Sequence, residues 1–355
     1  MNKILSYLPD SSNPYKVFII AEGGVNHNGT LNDALELVEA AKAAGCDAIK
    51  FQTWKTELVY DSKLSLLPEY QKRAVGESKS EFQVIKDLEL SWSDFRAIKA
   101  HAEKTGIIFF STPDEKVSLD FLVELDVPII KIGSQDLTND ILIRQVLATG
   151  KPIILSTGAS TLSEVAHAVE LLANAPKLYL LHCVSAYPTP AVEANLSCIS
   201  TLAAAFNRPI GFSDHTNGNA TALIALGLGA RIFEKHLTLD LKQKGPDHQA
   251  SLIPNEMQEY CKHLREGVLS LGKGQKAILE IERNVRLAFM RYPVAGADIQ
   301  KGEFIKEEDV NLVKTSTGIP SKYWDLLFSS KSNKLILKGS VLKWSDLTFE
   351  ENFGS

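Results

Sequence analysis

Four side chains within one stretch, "GFSDHTNGNATALIALGLGARIFEKHLTLD" from Gly211 to Asp240, are of types that bind metals and move protons. His215 and His236 each close a run of β-branched and apolar residues, and each has a polar residue two positions earlier, Ser213 and Glu234. A strand alternates its faces with period two, so Ser213 shares a face with His215 and Glu234 with His236. If the two runs are neighbouring strands, two imidazoles, a hydroxyl and a carboxylate look into one space. Two neutral imidazoles with oxygen ligands and open positions suit Mn²⁺, Fe²⁺, Co²⁺ or Zn²⁺ better than a closed structural zinc site does. Two hydrogen-bonded rim histidines are the plainer alternative.

Other polar residues interrupt apolar runs in the same way. Lys50 and Gln52 stand in "AIKFQTW" and Lys131 in "IIKIGSQD", while Glu22, Thr112, Ser156 and Ser185 fall near the ends of further runs. Lysine is rarely buried without a partner. Lys50 and Lys131 therefore either hold a ligand carrying phosphate and carboxylate together with the Ser and Thr hydroxyls, or pair with Glu22, Asp136 or Glu234, or reach out to solvent. Lys235 has the opposite parity to His236 and is expected to face helices as a structural pair. Asp247, in "GPDHQAS", could act on substrate or cap a short helix, the cap being the commoner role. His27, in "NHNG", reads as a loop residue, and His101, His167 and His263 as solvent-facing positions on helices. Cys183 lies in an apolar run and reads as a buried thiol.

What must position these groups is legible in the spacing. Runs begin at Val17, Ala48, Ile107, Ile129, Ile153, Leu178, Pro209 and Arg231, most of them 22 to 31 residues after the last. Between them lie helical patterns such as "LNDALELVEAAKAAG" and "STLSEVAHAVELLANA", with apolar residues at i, i+3, i+4 and i+7. A longer gap after the second run holds an insertion around "LSLLPEYQKRAVGESKSEF". Eight βα units predict an α/β fold, a TIM (β/α)8 barrel. A doubly wound open sheet would carry a glycine-rich first turn, and "AEGGVNHNG" lacks that spacing. In a barrel the seventh and eighth strands are adjacent, so His215 and His236 meet at the catalytic face. The texture changes after residue 272. The expected organisation is a barrel over 1–272, a linker over 273–287 and a small β-rich domain over 288–355, too small to be more than marginal alone.

The bulk composition narrows the partners. A chain of 355 residues with 45% hydrophobic and 23% charged residues is that of an ordinary globular protein. A net charge of −5 offers no basic surplus for nucleic acid. No apolar run approaches the ~20 residues needed to cross a bilayer, and the first residues lack the pattern of a secretory signal. The four cysteines are scattered, with no CxxC pair. A cytoplasmic protein without nucleic-acid or membrane partners is expected.

At this point the ordered motifs "FIIAEGGVNHNG", "AIKFQT", "STP", "KIGSQDLTN", "PIILSTGAS", "LLHCVSAYPTP", "GFSDHT", "EKHLTLD" and "GPDHQASL" closely resemble the sialic acid synthases. The resemblance runs nearly end to end and includes a C-terminal antifreeze-like (SAF) domain around "VAGADIQKGEFIKEEDV". It implies condensation of phosphoenolpyruvate with an N-acylmannosamine-like aldose and release of phosphate, giving a nonulosonic acid for surface glycans. It also implies a divalent metal, Mn²⁺ or Mg²⁺, and a homodimer in which the SAF domain of one subunit reaches over the other's active site.

Carried over residue by residue, the resemblance implies that His215 and His236 hold the metal. Lys50, Thr112, Lys131, Ser134, Ser156, Ser185 and Ser213 would cradle phosphoenolpyruvate. Glu22, Gln52, Tyr187, Asp136 and Asp247 would surround the sugar and the attacking water. The chain departs from the family pattern in three places. Gln135-Asp136 stands for the usual Gly-Glu, and Met290-Arg291-Tyr292 for Arg-Arg-Ser. Lys314-Thr315-Ser316-Thr317 stands for Lys-Arg-Pro-Gly, whose arginine contacts the N-acyl group. The acceptor is therefore open, with a 2,4-diacetamido-trideoxy hexose of the legionaminate or pseudaminate type, or a sugar lacking the N-acetyl group, as alternatives. A Schiff-base pyruvate aldolase using Lys131 and a non-catalytic sugar-binding barrel are lesser ones.

Overall fold

The β-branched runs form strands that close on themselves. The computed structural model describes residues 8–9, 13–63 and 80–349. Its parallel strands are β1 (Phe18–Gly24), β2 (Ala48–Thr53), β3 (Ile108–Pro113), β4 (Ile130–Ile132), β5 (Ile153–Ser156), β6 (Leu178–Cys183), β7 (Ile210–Asp214) and β8 (Ile232–His236). Each pairs with its successor, and β8 returns to β1, with Phe18 opposite Ile232 and Glu22 opposite His236. This is the TIM barrel that the spacing predicts.

The helical stretches are α1 (Leu31–Ala43), α2 (Thr56–Val59), α3 (Glu81–Leu88), α4 (Trp92–Thr105), α5 (Lys116–Glu124), α6 (Asp140–Ala148), α7 (Leu162–Leu171), α8 (Cys198–Phe206), α9 (Ala220–Gly227) and α10 (Pro254–Ser270). Side-chain caps fix where several begin. Thr30 accepts from the Asp33 amide at the start of α1. Ser91 with Asp94, and Thr161 with Glu164, form reciprocal boxes that satisfy the first free N–H groups of α4 and α7. α4 stops at Gly106, whose φ of 75° suits a residue without Cβ. The buried stripe of α1 is Ala34, Leu37, Val38 and Ala41, the i, i+3, i+4, i+7 pattern read from sequence. Of the insertion expected around residues 64–82, residues 64–79 lie outside the described residues.

One strand is shorter than its sequence suggests. "IIKIGSQD" reads as a continuous run, yet β4 is only Ile130–Ile132 and Ser134–Asp136 turn as a 3-10 helix. Gly133 permits this because the Gln135 carboxamide folds back into the space a Cβ at 133 would take. The turn swings Ser134 and Gln135 over the barrel mouth.

By contact the chain divides into two units, Met1–Lys273 and Gly274–Ser355. The second contains α11 (Arg283–Phe289), β9 (Arg291–Ala295), β10 (Val310–Lys314), α12 (Trp324–Leu327), β11 (Ser330–Ser332) and β12 (Leu347–Phe349), so the expected linker ends in a short helix. β9 pairs antiparallel with β10, and β11 with β12. A small core of Ala295, Ile299, Ile305, Val310, Ile319, Leu327, Ile336, Leu342 and Leu347 holds it together. Among the described residues no helix is long and apolar enough to cross a membrane.

Candidate active site

At the carboxyl ends of the strands lies a cavity of about 380 Å³. Twelve of the fourteen residues expected at the site line it: Glu22, Lys50, Gln52, Thr112, Lys131, Ser134, Ser156, Ser185, Tyr187, Ser213, His215 and His236. Strand parity brings eight of them together, since alternate residues of neighbouring strands point into one barrel, while Ser134, Ser185, Tyr187 and His215 lie just past the ends of β4, β6 and β7.

The floor is an array of buried charges. The Lys50 ammonium lies 2.7 Å from Glu22 and 3.7 Å from Glu234, and that of Lys131 lies 3.6 Å from Glu234. Lys50 also donates to Thr112 Oγ1 at 3.1 Å, Lys131 to Ser156 Oγ at 2.7 Å, and Ser213 to Glu234 at 2.8 Å. Pairing and site-lining, posed as alternatives from sequence, are both present, although Asp136 is not a lysine's partner. Burial works against the charge on Glu234, but Lys131 and Lys50 outweigh it and hold the carboxyl down at about 2. For Glu22 burial wins over Lys50, helped by the nearby Glu234, and the carboxyl is pushed up to about 7. Burial opposes the Lys50 charge too, yet its two carboxylates raise its pKa, whereas burial lowers that of Lys131. One carboxyl of the array is thus poised to gain or lose a proton near neutrality.

Beside it the two imidazoles stand with ring centroids 5.4 Å apart, and Tyr187 packs 4.0 Å from His215 and 5.6 Å from His236. His215 Nδ1 lies 2.8 Å from the Val184 carbonyl, which can only accept, so Nδ1 carries a hydrogen and, in the neutral ring, Nε2 carries the lone pair. His236 Nδ1 is buried without a hydrogen-bond partner among the described residues, and Asp247 Oδ2 is 3.7 Å away. Burial and the neighbouring His215 hold His236 far below its ordinary pKa, so its ring is neutral. An orphaned nitrogen and a second ring with its lone pair set by a backbone bond fit a divalent cation. Among the described residues no cluster of three or more His, Cys, Asp or Glu would hold one unaided, so substrate or water oxygens would complete the shell.

The two remaining expected residues are not among those that line the cavity. Asp136 is buried in the 3-10 turn and accepts from Asn139 at 3.0 Å. Asp247 corrects the commoner expectation: it stands before the short helix His248–Ala250, but its side chain makes no capping bond. Its carboxylate lies towards His236 instead, and burial pushes it up to about 6.

Lys235 behaves as its parity demands, facing away from the cavity, fully buried 3.2 Å from Asp214 and bonded to the Thr216 carbonyl. His27 is in a loop as expected but wholly buried. Of the expected solvent-facing histidines, His167 is exposed and pairs with Asp140, whereas His101, paired with Glu39, and His263, bonded to Asn219, are half-buried. Three residues of interest escaped the list of candidates, two of which line the cavity. Glu234 carries the charge array, and the parity argument that raised it at the outset would have kept it. Cys183 is buried as expected, but it lines the cavity 3.8 Å from His215 Nδ1, sharing the face of Ser185 two residues on. Asp114 follows Pro113 beyond the strand end, where no parity applies; burial, and next the like charge of Asp136, push it up to about 8.

In the second unit, Thr315 Oγ1 donates to the Thr317 carbonyl in an exposed turn, at the place of the absent arginine. Arg291 on β9 stands directly across the ladder from Lys314.

The fold and site define a closed eightfold barrel with lysines, hydroxyls and paired imidazoles at its carboxyl end, and comparison with known proteins narrows it. The chain belongs to the NeuB family, whose model matches residues 37–276, and a SAF domain matches residues 291–348. It is 38% identical over 336 residues to the N,N'-diacetyllegionaminic acid synthase of Legionella pneumophila, covering 93% of this chain and 94% of that one. It is 34% identical over 336 residues to the pseudaminic acid synthase of Campylobacter jejuni, covering 93% and 96%. The crystal structure of the N-acetylneuraminic acid synthetase of Leptospira borgpetersenii, in complex with citrate, superimposes with a TM-score of 0.68 at 33% identity, covering 79% of this chain and 96% of that one.

Proposed function

We propose that this chain condenses phosphoenolpyruvate with an N-acylmannosamine-like or 2,4-diacetamido-trideoxy aldose, releasing phosphate and giving a nonulosonic acid. The observation that carries the reading is the buried Glu22–Lys50–Glu234–Lys131 array, ringed by hydroxyls and set beside two imidazoles. Lys50 and Lys131 offset the charge of a small phosphate-and-carboxylate ligand, and Thr112, Ser134, Ser156, Ser185 and Ser213 supply its hydrogen bonds. Gln52, Tyr187, Asp136 and Asp247 surround the aldose. C3 of the enol attacks the aldehyde carbon, leaving positive charge at C2, which the clustered carboxylates stabilise. Water adds at C2 and phosphate leaves. Glu22, titrating near 7, is suited to take the proton from that water. His215 and His236 would hold Mn²⁺ or Mg²⁺, which when bound polarises the aldehyde oxygen.

The test is phosphate release from phosphoenolpyruvate with Mn²⁺ or Mg²⁺ and a panel of 2-acylamino and 2,4-diacylamino aldoses. Release with at least one aldose, abolished by chelator, is expected; none above the sugar-free blank ends the reading. A second reading draws on Lys131, whose pKa burial lowers, as a Schiff-base aldolase lysine would need. Borohydride with pyruvate would then trap an adduct on Lys131 and chelator would leave activity intact.

We extend the proposal to a cytoplasmic homodimer in which the SAF domain of each subunit serves the other's barrel. It is supported by an exposed apolar run, Ile278, Leu279, Ile281, Val285, Leu287 and Phe289, of a kind that monomers seldom leave bare.

A further inference from the structure

Far from the catalytic mouth, two of the four cysteines meet. Cys46 lies two residues before β2, at the opposite end of the barrel from the cavity, and Cys261 lies on α10. Their Sγ atoms are 3.6 Å apart and both residues are buried, 5% and 2% exposed. A sequence separation of 215 makes this contact wholly a product of the fold.

The contact is clasped in place. One turn after Cys261, Arg265 donates to the Gly45 carbonyl at 2.6 Å and to the Asp47 side chain Oδ1 at 3.2 Å, gripping the residues on both sides of Cys46. Asp47 in turn accepts from the Ile19 amide at 2.8 Å, tying the same corner to β1. Neither thiol is part of the catalytic array, and Gly45, next to Cys46, is exposed, so the pair sits one residue below the surface.

We propose that Cys46 and Cys261 are a latent disulfide pair, oxidised in the folded protein to a bond that joins the start of β2 to the barrel's last helix. With an azo oxidant such as diamide, one sulfur adds to the N=N bond and the other displaces it. The S–S bond forms, both S–H bonds break, and the two electrons and two protons pass to the azo group as a hydrazine. The gap is of a size that rotamer adjustment of two facing side chains closes. The hydrogen bond to Cys261, and then burial, hold the Cys46 thiol well above its ordinary pKa. Cys46 therefore rests as a thiol at neutral pH, and the pair answers sustained oxidant. The bond would close a loop of some two hundred residues, which restricts the unfolded chain strongly.

The full-length protein is treated with diamide, denatured, alkylated with N-ethylmaleimide and mapped by peptide mass. The expected result is a cross-linked Cys46–Cys261 peptide and near-complete loss of alkylation at both positions. Oxidised protein should also melt several degrees higher, the gain reversing with dithiothreitol and missing from Cys46→Ser and Cys261→Ser. Phosphate release should be unchanged, since the pair is remote from the cavity. Full alkylation of both cysteines after a treatment that consumes the half-buried Cys198 would overturn the proposal. So would a cross-link that appears only when the oxidant is added to denatured protein. The peptide map of the unmutated chain decides the matter even if the serine variants fold poorly.

Discussion

At the scale of the residue, the site is a problem of placing charge where water is scarce. Two ammonium groups and two carboxylates cancel closely enough to be buried, and the imbalance that remains falls on Glu22. Asp114 shows the same physics outside the cavity. Its folded pKa, about 8, lies well above the ordinary value near 4. The folded state therefore binds a proton that the unfolded state has lost, and stability falls as pH rises from about 4 to about 8. Asp114→Asn removes that slope. Melting curves from pH 5 to pH 8 should show the variant gaining on the wild type as pH rises; a constant difference would contradict the account. Strand residues of the site were legible because period two fixes their direction. Asp114 was not, because direction beyond a strand end is set by the loop, and a loop's course depends on partners distant in sequence; Asp247 was placed at the site by the resemblance.

At the scale of the element, short loops do the aiming. In the loop from β5 to α7, the Gly158 amide donates to Ser134 Oγ at 3.0 Å, and a Cβ at Gly158 would meet Ser185 Oγ and, at 2.9 Å, Ser134 Oγ. Both hydroxyls would have to turn away. Gly158→Ala should raise KM for phosphoenolpyruvate by about tenfold or more, with the modest loss of stability expected of overpacking, about 1–3 kcal/mol. An unchanged KM would remove those hydroxyls from the binding site. The sequence was a good guide to α1 and α7, where the apolar periodicity falls on helices with buried residues at that spacing. It was a poor one at β4, where the apolar run outlasts the strand because the Gly133–Gln135 fold-back ends it early.

At the scale of the molecule, the apolar residues that the C-terminal unit leaves exposed bear on assembly. Ile281 is 84% and Phe289 64% exposed. Ile281→Asp with Phe289→Asp should convert a dimer, measured by light scattering after gel filtration, to a monomer; an unaltered mass would place the interface elsewhere. The eightfold repeat was legible because each βα unit repeats its own signal. What covers the exposed apolar positions was not, since such a position carries no mark of its partner, and the dimer is implied only by the resemblance.

On β8, Glu234 and His236 serve the pocket while Lys235 between them serves the outer wall with Asp214. A single codon inserted upstream in that strand would rotate this cast. A lysine would enter among the cations at the mouth, and an imidazole and a carboxylate would be pressed into the aliphatic sleeve outside. Evolution can lengthen the surrounding loops freely to suit a new sugar, but it must keep the length of this strand.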